Sequence, residues 1–372
     1  MTEQRQIVRV LVVDDSTFMR KVLQSIIAAD PQMEVVGEAC DGREAIAMSE
    51  SLRPDVISMD LMMPHVDGLQ ATEHIMATRP RPIVIVSSEA REGAESTLRA
   101  LHLGAIDFVA KPSNGIDLDM DSVREEICRK LKLAARVRVI RNAKTLAHRG
   151  HSLLHGAPAQ PVPIPPHAYA TGNGRRHPLV VMAASTGGPQ ALMQLAPQIP
   201  AEFCGSILVV QHMPGTFTAQ FSKQLESVAS LRVQEAQHHE ELKAGTMYIC
   251  PGSHHLRVSI TGRIELEKGE RINGYRPCAD VTMETAAAFA GPMCVGVVLT
   301  GMGCDGAKGI RAVKAAGGHV IVQDESTSLI FGMPSEAIST GAVDQVLALH
   351  EIPAALAKRS LYLIGAARVG AM

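Results

Sequence analysis

The sequence predicts an α/β protein made of two doubly wound parallel-sheet domains joined by a Pro-rich linker, the second with a β-hairpin insertion. Three observations carry this. The chain has 372 residues, more than one ordinary domain and enough for two. Short apolar runs alternate with helical patterns in both halves, the mark of βαβ units and a parallel sheet. Between the halves, residues 127–177 hold ten Lys or Arg and no acid, with a Pro-rich run at 157–166 that has no hydrophobic period. Such a composition makes an extended, semi-rigid connector. The expected division is a first domain over 1–126, a basic helix end and linker over 127–177, and a second domain over 178–365.

In the first domain, Val8–Val13 reads as a buried strand ending in Asp14-Asp15, and Phe18–Ala29 as a helix. Strands follow at Val35–Ala39, at Val56–Met59 ending in Asp60, at Ile83–Val86 ending in Ser87, and at Phe108–Ala110 ending in Lys111. In the second, buried strands are expected at Leu179–Met182, Ile207–Val210, Val295–Leu299 and His319–Val322. An antiparallel patch is expected from Thr246–Cys250, His255–Val258 and Arg263–Leu266.

Composition excludes several function classes. Hydrophobic residues make up 46% of the chain, which rules out global disorder. No apolar stretch reaches the 18 or so residues of a membrane span, and the first six residues are polar, unlike a secretory signal. Seven scattered cysteines with no C-x-x-C pair argue against a disulfide framework or a zinc ribbon, so a reducing cytoplasm is expected. A net charge of −2, no Trp and no helix-turn-helix pattern argue against nucleic acid as a partner.

Open parallel sheets bind ligands beyond the carboxyl ends of their strands. In the first domain those ends carry Asp14, Asp15, Asp60, Ser87 and Lys111. Converging carboxylates repel unless a cation joins them, and an oxygen-only donor set suits Mg²⁺. Lys111 and Ser87 add a positive charge and a hydroxyl for an anionic group. The chemistry allowed is phosphoryl transfer to Asp60.

Residues 8–126 resemble the receiver domain of two-component response regulators. The matching pieces are Asp14-Asp15, Met59-Asp60-Leu-Met-Met-Pro64, Asp67-Gly68, Val86-Ser87-Ser88, Gly104-Ala105 and Phe108-Val-Ala-Lys111-Pro112. The resemblance implies a flavodoxin-like fold, Asp60 as phosphoacceptor, Asp14, Asp15 and Asp60 as Mg²⁺ ligands, Ser87 and Phe108 as switch residues, and a histidine kinase as phosphodonor.

The second domain opens with a strand running into Ala183-Ala184-Ser185-Thr186-Gly187-Gly188-Pro189. A small-residue turn into a helix exposes a serine hydroxyl beside free backbone N–H groups. A base candidate, His212, follows the next strand, and an orienting carboxylate, Asp305, follows Gly301-Met302-Gly303 after another. All three fall on one sheet edge. On residues alone each has a second reading. Ser185 can be a turn or N-cap serine, His212 a structural histidine, and the glycine loop a phosphate-binding turn.

Residues 178–350 are similar to the catalytic domain of chemotaxis protein-glutamate methylesterases, the CheB family. The similarity rests on Ala184-Ser-Thr-Gly-Gly188, Gln211-His-Met-Pro214, Tyr248-Ile-Cys-Pro-Gly252 with His255, Arg276-Pro277 with Asp280, Leu299-Thr-Gly-Met-Gly303, Asp305-Gly306, Gln323-Asp-Glu325 and Phe331-Gly-Met-Pro334. It implies a Rossmann-like domain with Ser185 as nucleophile, His212 as base and Asp305 as its orienter. The substrate class is the methyl-accepting chemoreceptor, with glutamine deamidation as a second activity and no cofactor for the esterase. Thr186, Met302 and Gly303 are expected around the oxyanion, with His255 and Arg276 toward the substrate. Two departures stand out: Ala183 replaces a usual Gly, and Cys304 precedes Asp305. The rival reading is a non-catalytic signalling module that binds receptors.

An enzyme segment tethered to a phosphorylatable one invites a switch in which the unphosphorylated receiver holds catalysis down. Removing residues 1–150 is then expected to raise basal esterase activity. Unchanged or lower activity in a folded fragment would refute that coupling.

Overall fold

The computed structural model describes residues 7–87, 91–111, 120–137 and 177–369. These fall into two compact units, one before and one after the 138–176 stretch. Most of the expected connector, including His148, His151, His155 and His167, lies outside the described residues.

The first unit alternates strand and helix: β1 (Val8–Val13), α1 (Thr17–Ala28), β2 (Met33–Ala39), α2 (Gly42–Leu52), β3 (Val56–Met59), α3 (Gly68–Thr78), β4 (Ile83–Ser87), α4 (Arg91–His102), β5 (Asp107–Ala110) and α5 (Met120–Ala134). Its five strands lie in the order β2-β1-β3-β4-β5, all parallel. Strands β3 and β4 are buried at every position, as covered parallel strands must be. Ser16, Asp41 and Asp67 cap the first three helices by accepting N–H bonds from the first turn. Helix α5 runs past residue 126 because Ile127, Leu131 and Ala134 form a fully buried face. Lys132 ties it to Asp30 at 2.6 Å.

The second unit comprises β6 (Leu179–Ala184), α6 (Gly188–Leu195), β7 (Ser206–Gln211), α7 (Gly215–Val228), β8 (Arg232–Glu235), β9 (Thr246–Ile249), β10 (His255–Val258), β11 (Ile264–Glu267), α8 (Ala279–Ala290), β12 (Cys294–Val298), α9 (Ala307–Ala315), β13 (His319–Gln323), α10 (Gly332–Ser339), β14 (Gln345–Leu347) and α11 (Ile352–Val369). Seven strands pair in parallel in the order β14-β13-β12-β6-β7-β9-β8. Strands β10 and β11 form a separate antiparallel hairpin.

The expected antiparallel patch is corrected here. Only His255–Val258 and Ile264–Glu267 pair antiparallel, whereas Thr246–Ile249 joins the main sheet in parallel beside β7. Its four residues are all buried, the continuous burial of an interior parallel strand, but four residues are too few to reveal a period. Strands β8 and β14 were not expected. They are the two edges, short and partly exposed, so they lack the apolar runs that mark the inner strands.

The core gathers Val181, Leu208, Tyr248, Met283, Val298 and Val322 from the sheet and from α8. No helix among the described residues is long and apolar enough to cross a membrane.

Phe217 of α7 is fully buried. Phe217→Ala is expected to destabilise by about 3–5 kcal/mol through lost burial and a residual cavity. Chemical denaturation of the full chain measures this, and a loss below about 1 kcal/mol would contradict its core role.

Candidate functional site

Register brings the first pair of second-unit residues together. Ala184 of β6 pairs with Gln211 of β7. Ser185 and His212 therefore leave adjacent strand ends, which lie about 4.8 Å apart in a parallel sheet. The His212 N–H donates to the Ala184 carbonyl at 3.0 Å, locking that step. Gln211 Nε2 donates to the Ser185 carbonyl at 2.9 Å. On the other flank, β12 pairs with β6, and the chain beyond it carries Asp305 back to His212. His212 Nε2 lies 2.7 Å from Asp305 Oδ2. His212 Nδ1 is buried with no hydrogen-bond partner.

Asp305 is 1% exposed and held from several sides. Oδ2 also accepts the Ala279 N–H at 2.7 Å, while Oδ1 accepts the Asp280 N–H at 2.9 Å and the Cys278 thiol at 3.2 Å. These donors belong to the start of α8, whose N-terminus favours negative charge. Burial pushes the Asp305 carboxyl up, but His212 and the two backbone donors outweigh it and hold the group below the usual carboxylate value. Asp280 braces the Asp305 loop, because its Oδ1 accepts the N–H groups of Gly306 and Gly309 at 2.9 and 2.7 Å.

The 301–303 loop closes over the serine. A methyl on Gly301 would stand 2.8 Å from Ser185 Cβ and 2.3 Å from Met333 Sδ, so only glycine fits. The N–H groups of Ser185 and Gly301 are already spent on the Thr300 and Ile330 carbonyls at 3.1 and 3.0 Å. Thr300 is central to this brace. Its N–H reaches Gln323 Oε1 at 2.8 Å, and its hydroxyl donates to the Thr186 carbonyl at 3.1 Å. Ala183, the departure from Gly, sits inside regular β6 opposite Val298 and Val210, with its methyl buried in the core and outside the turn. Cys304 is exposed, and burial and nearby carboxylates raise its thiol pKa, which opposes a thiolate nucleophile.

His255, expected toward the substrate, is buried, and its Nδ1 has no hydrogen-bond partner. It is 1% exposed, with Nε2 2.8 Å from the Glu270 carbonyl. Arg276 is half-buried, and its Nη1 donates to the Gly269 carbonyl at 2.7 Å.

The first unit carries a second cluster at the same relative position on its sheet. Carboxylate oxygens of Asp14, Asp15 and Asp60 lie within 4.8 Å of one another. Lys111 Nζ stands 2.8 Å from Asp14 Oδ2 and 2.8 Å from Asp60 Oδ2. The Asp14 contact at 2.8 Å is a close ion pair. Asp60 Oδ1 accepts the Leu61 N–H at 2.8 Å. Burial raises the Asp60 carboxyl, with Asp14 adding to it and Lys111 opposing. Burial also works against the Lys111 charge, but the two carboxylates outweigh it and keep the ammonium above its ordinary value. Ser87 and Phe108 are buried at the neighbouring strands β4 and β5, and Lys130 stands 5.3 Å from the Phe108 ring centroid. Three carboxylates whose oxygens converge, with a single lysine to offset their charge, fit a small hard cation.

Residues 180–356 match the family model described as CheB methylesterase, and residues 10–120 match the response regulator receiver domain. A Pyrococcus abyssi protein-glutamate methylesterase/protein-glutamine glutaminase is 45% identical over 367 residues, 98% of this chain and 96% of that one. The chain belongs to the protein-glutamate methylesterase/protein-glutamine glutaminase family. A relative of the same name from Symbiobacterium thermophilum is 43% identical, covering 94% of this chain and 96% of its own. The Thermotoga maritima CheB methylesterase catalytic domain is 41% identical, with a TM-score of 0.48 over 50% of this chain and 99% of that domain.

Two residues at this methylesterase-family site escaped the sequence reading. Tyr275 stacks on the His212 ring, with centroids 4.5 Å apart and planes 17° apart. It is delivered by a tight turn at Asn273-Gly274, both at positive φ, between the bridged residues Ile272 and Tyr275. That Asn-Gly pair was the available signal. Cys278 is the other.

A carboxylate with a raised folded pKa loses stability as pH rises through its titration, and the penalty is absent below the unfolded pKa of about 3.9. In metal-free buffer, Asp60→Asn is thus expected to stabilise the first unit at pH 7, with the gain vanishing in acid. Thermal melts across pH check this, and a destabilised variant at pH 7 would contradict it.

Proposed function

We propose that this chain hydrolyses glutamate methyl esters on methyl-accepting chemoreceptors, and deamidates receptor glutamines, through a Ser185–His212–Asp305 acyl-enzyme route. The observation that carries the reading is His212, set beside Ser185 by register. It spends Nε2 on Asp305 and keeps Nδ1 buried and unpaired.

Ser185 Oγ attacks the ester carbonyl as His212 Nδ1 takes the hydroxyl proton. Asp305 holds the imidazole by Nε2 and stabilises the imidazolium that forms. Negative charge on the carbonyl oxygen is met by backbone N–H groups around Thr186, Met302 and Gly303. The intermediate collapses, the carbonyl–methoxy bond breaks, and His212 returns the proton to leaving methanol. Water, deprotonated by His212, then attacks the acyl-serine and frees the glutamate carboxylate. In deamidation the leaving group is ammonia; amides are poorer electrophiles, so that reaction is slower.

The first unit is read as the control element. Asp60 accepts a phosphoryl group from a histidine kinase, with Lys111 countering its charge and Ser87 and Phe108 responding as switch residues. Asp14, Asp15 and Asp60 would hold Mg²⁺, which supplies charge neutralisation for the phosphoryl oxygens. The reaction is assigned to the cytoplasm, where all seven cysteines stay as free thiols.

The test is methanol release from a methylated receptor cytoplasmic fragment. Intact protein with Mg²⁺ and a small phosphodonor is expected to release methanol faster than without them. Ser185→Ala should lose roughly 10³-fold or more. Equal release by both proteins would end the serine mechanism.

A further inference from the structure

Cys278 occupies the N-cap position of α8, where a side chain ordinarily accepts an N–H bond from its own helix. No such bond forms here. Its Sγ points instead at Asp305 Oδ1, 3.2 Å away and 27 residues along the chain. The two oxygens of Asp305 then divide their partners evenly. Oδ2 takes His212 and Ala279 N–H, and Oδ1 takes Cys278 and Asp280 N–H. We propose that Cys278 is a positioning residue for catalysis, whose thiol proton fixes the Asp305 carboxylate and moderates its pull on the His212 imidazolium. This inference rests on the esterase reading above.

The chemistry favours a permanent donor. Cys278 is fully buried, and burial together with the neighbouring carboxylates pushes its thiol up to about 12. The raised value favours the protonated, donating thiol over a thiolate. The ligand atoms of Cys278, Asp280 and Asp305 lie within 4.8 Å of one another, and the thiol and four backbone N–H groups donate to the two carboxylates, which ties them into one hydrogen-bonded cluster. Other titratable groups face the pair from each side. Asp280 lies on α8, Cys304 on the Asp305 loop, Tyr275 on the imidazole face, Lys308 on α9 paired with Glu284, and Glu336 on α10 toward Cys304.

Removing the thiol leaves Oδ1 with one donor. The less satisfied carboxylate holds a protonated imidazole more tightly, so the His212 midpoint should rise. The test uses the full chain with Cys278→Ala and Cys278→Ser, reading methanol release against pH and the His212 imidazole by NMR titration. In Cys278→Ala, kcat should fall about fivefold with KM little changed, the scale of one hydrogen bond. Its imidazole midpoint and the acid limb of the rate profile should both rise by about half a unit. Cys278→Ser, which keeps a donor, should restore both. An unmoved midpoint in Cys278→Ala, or a serine variant that behaves like alanine, would overturn the proposal. If the unsubstituted protein released no methanol, the esterase reading would fall, and the imidazole titration would still decide the role of Cys278.

Discussion

The second unit depends on keeping one buried carboxylate charged. At 1% exposure, Asp305 has almost no water, and an unpaired charge there would be far too costly to retain. The fold answers with the N-terminus of α8, a thiol and an imidazole. Asp280, the next carboxylate, turns its own oxygen to the Gly306 and Gly309 amides and so anchors the loop that carries Asp305. Once the carboxylate is fixed, the imidazole is fixed with it. Because Nε2 serves the aspartate, Nδ1 is the ring nitrogen left unpaired, and in the proposed mechanism it would serve the serine, the reverse of the chymotrypsin assignment.

Both units solve the problem of gathering distant residues in the same way. In the order β2-β1-β3-β4-β5 the strand order reverses between the parallel strands β1 and β3, and Asp14, Asp15 and Asp60 sit where those strands end. In the larger sheet the reversal falls between β6 and β12, and Ser185 and Asp305 come from the loops that part there. Successive loops diverge at a reversal and leave a crevice open. Polar residues can be placed there without interrupting the strands that carry them.

This is why the strand-end residues were legible in the sequence. An apolar run that stops at Asp60, Ser185 or His212 announces both the strand and its exit. Residues whose position comes from closure in space were not. Tyr275 reaches His212 from a tight turn outside the main sheet, and Cys278 reaches Asp305 only because α8 begins beneath that loop. His255 matched a family pattern, but the hairpin buries it. Thr246–Ile249 shows the limit from the other side: four buried residues announce a strand without announcing its direction. The edge strands β8 and β14 have too little burial to announce themselves at all.

The glycine at 301 has a consequence for the serine beside it. A side chain at 301 would collide with Ser185 Cβ and the Met333 sulfur, so the loop stands close to Ser185 on that flank. If Ser185 is the nucleophile, as proposed, part of the orientational entropy of aiming its hydroxyl would be surrendered when the chain folds and not at each encounter with substrate. Such confinement raises the effective molarity of a nucleophile without adding any contact to the reacting group.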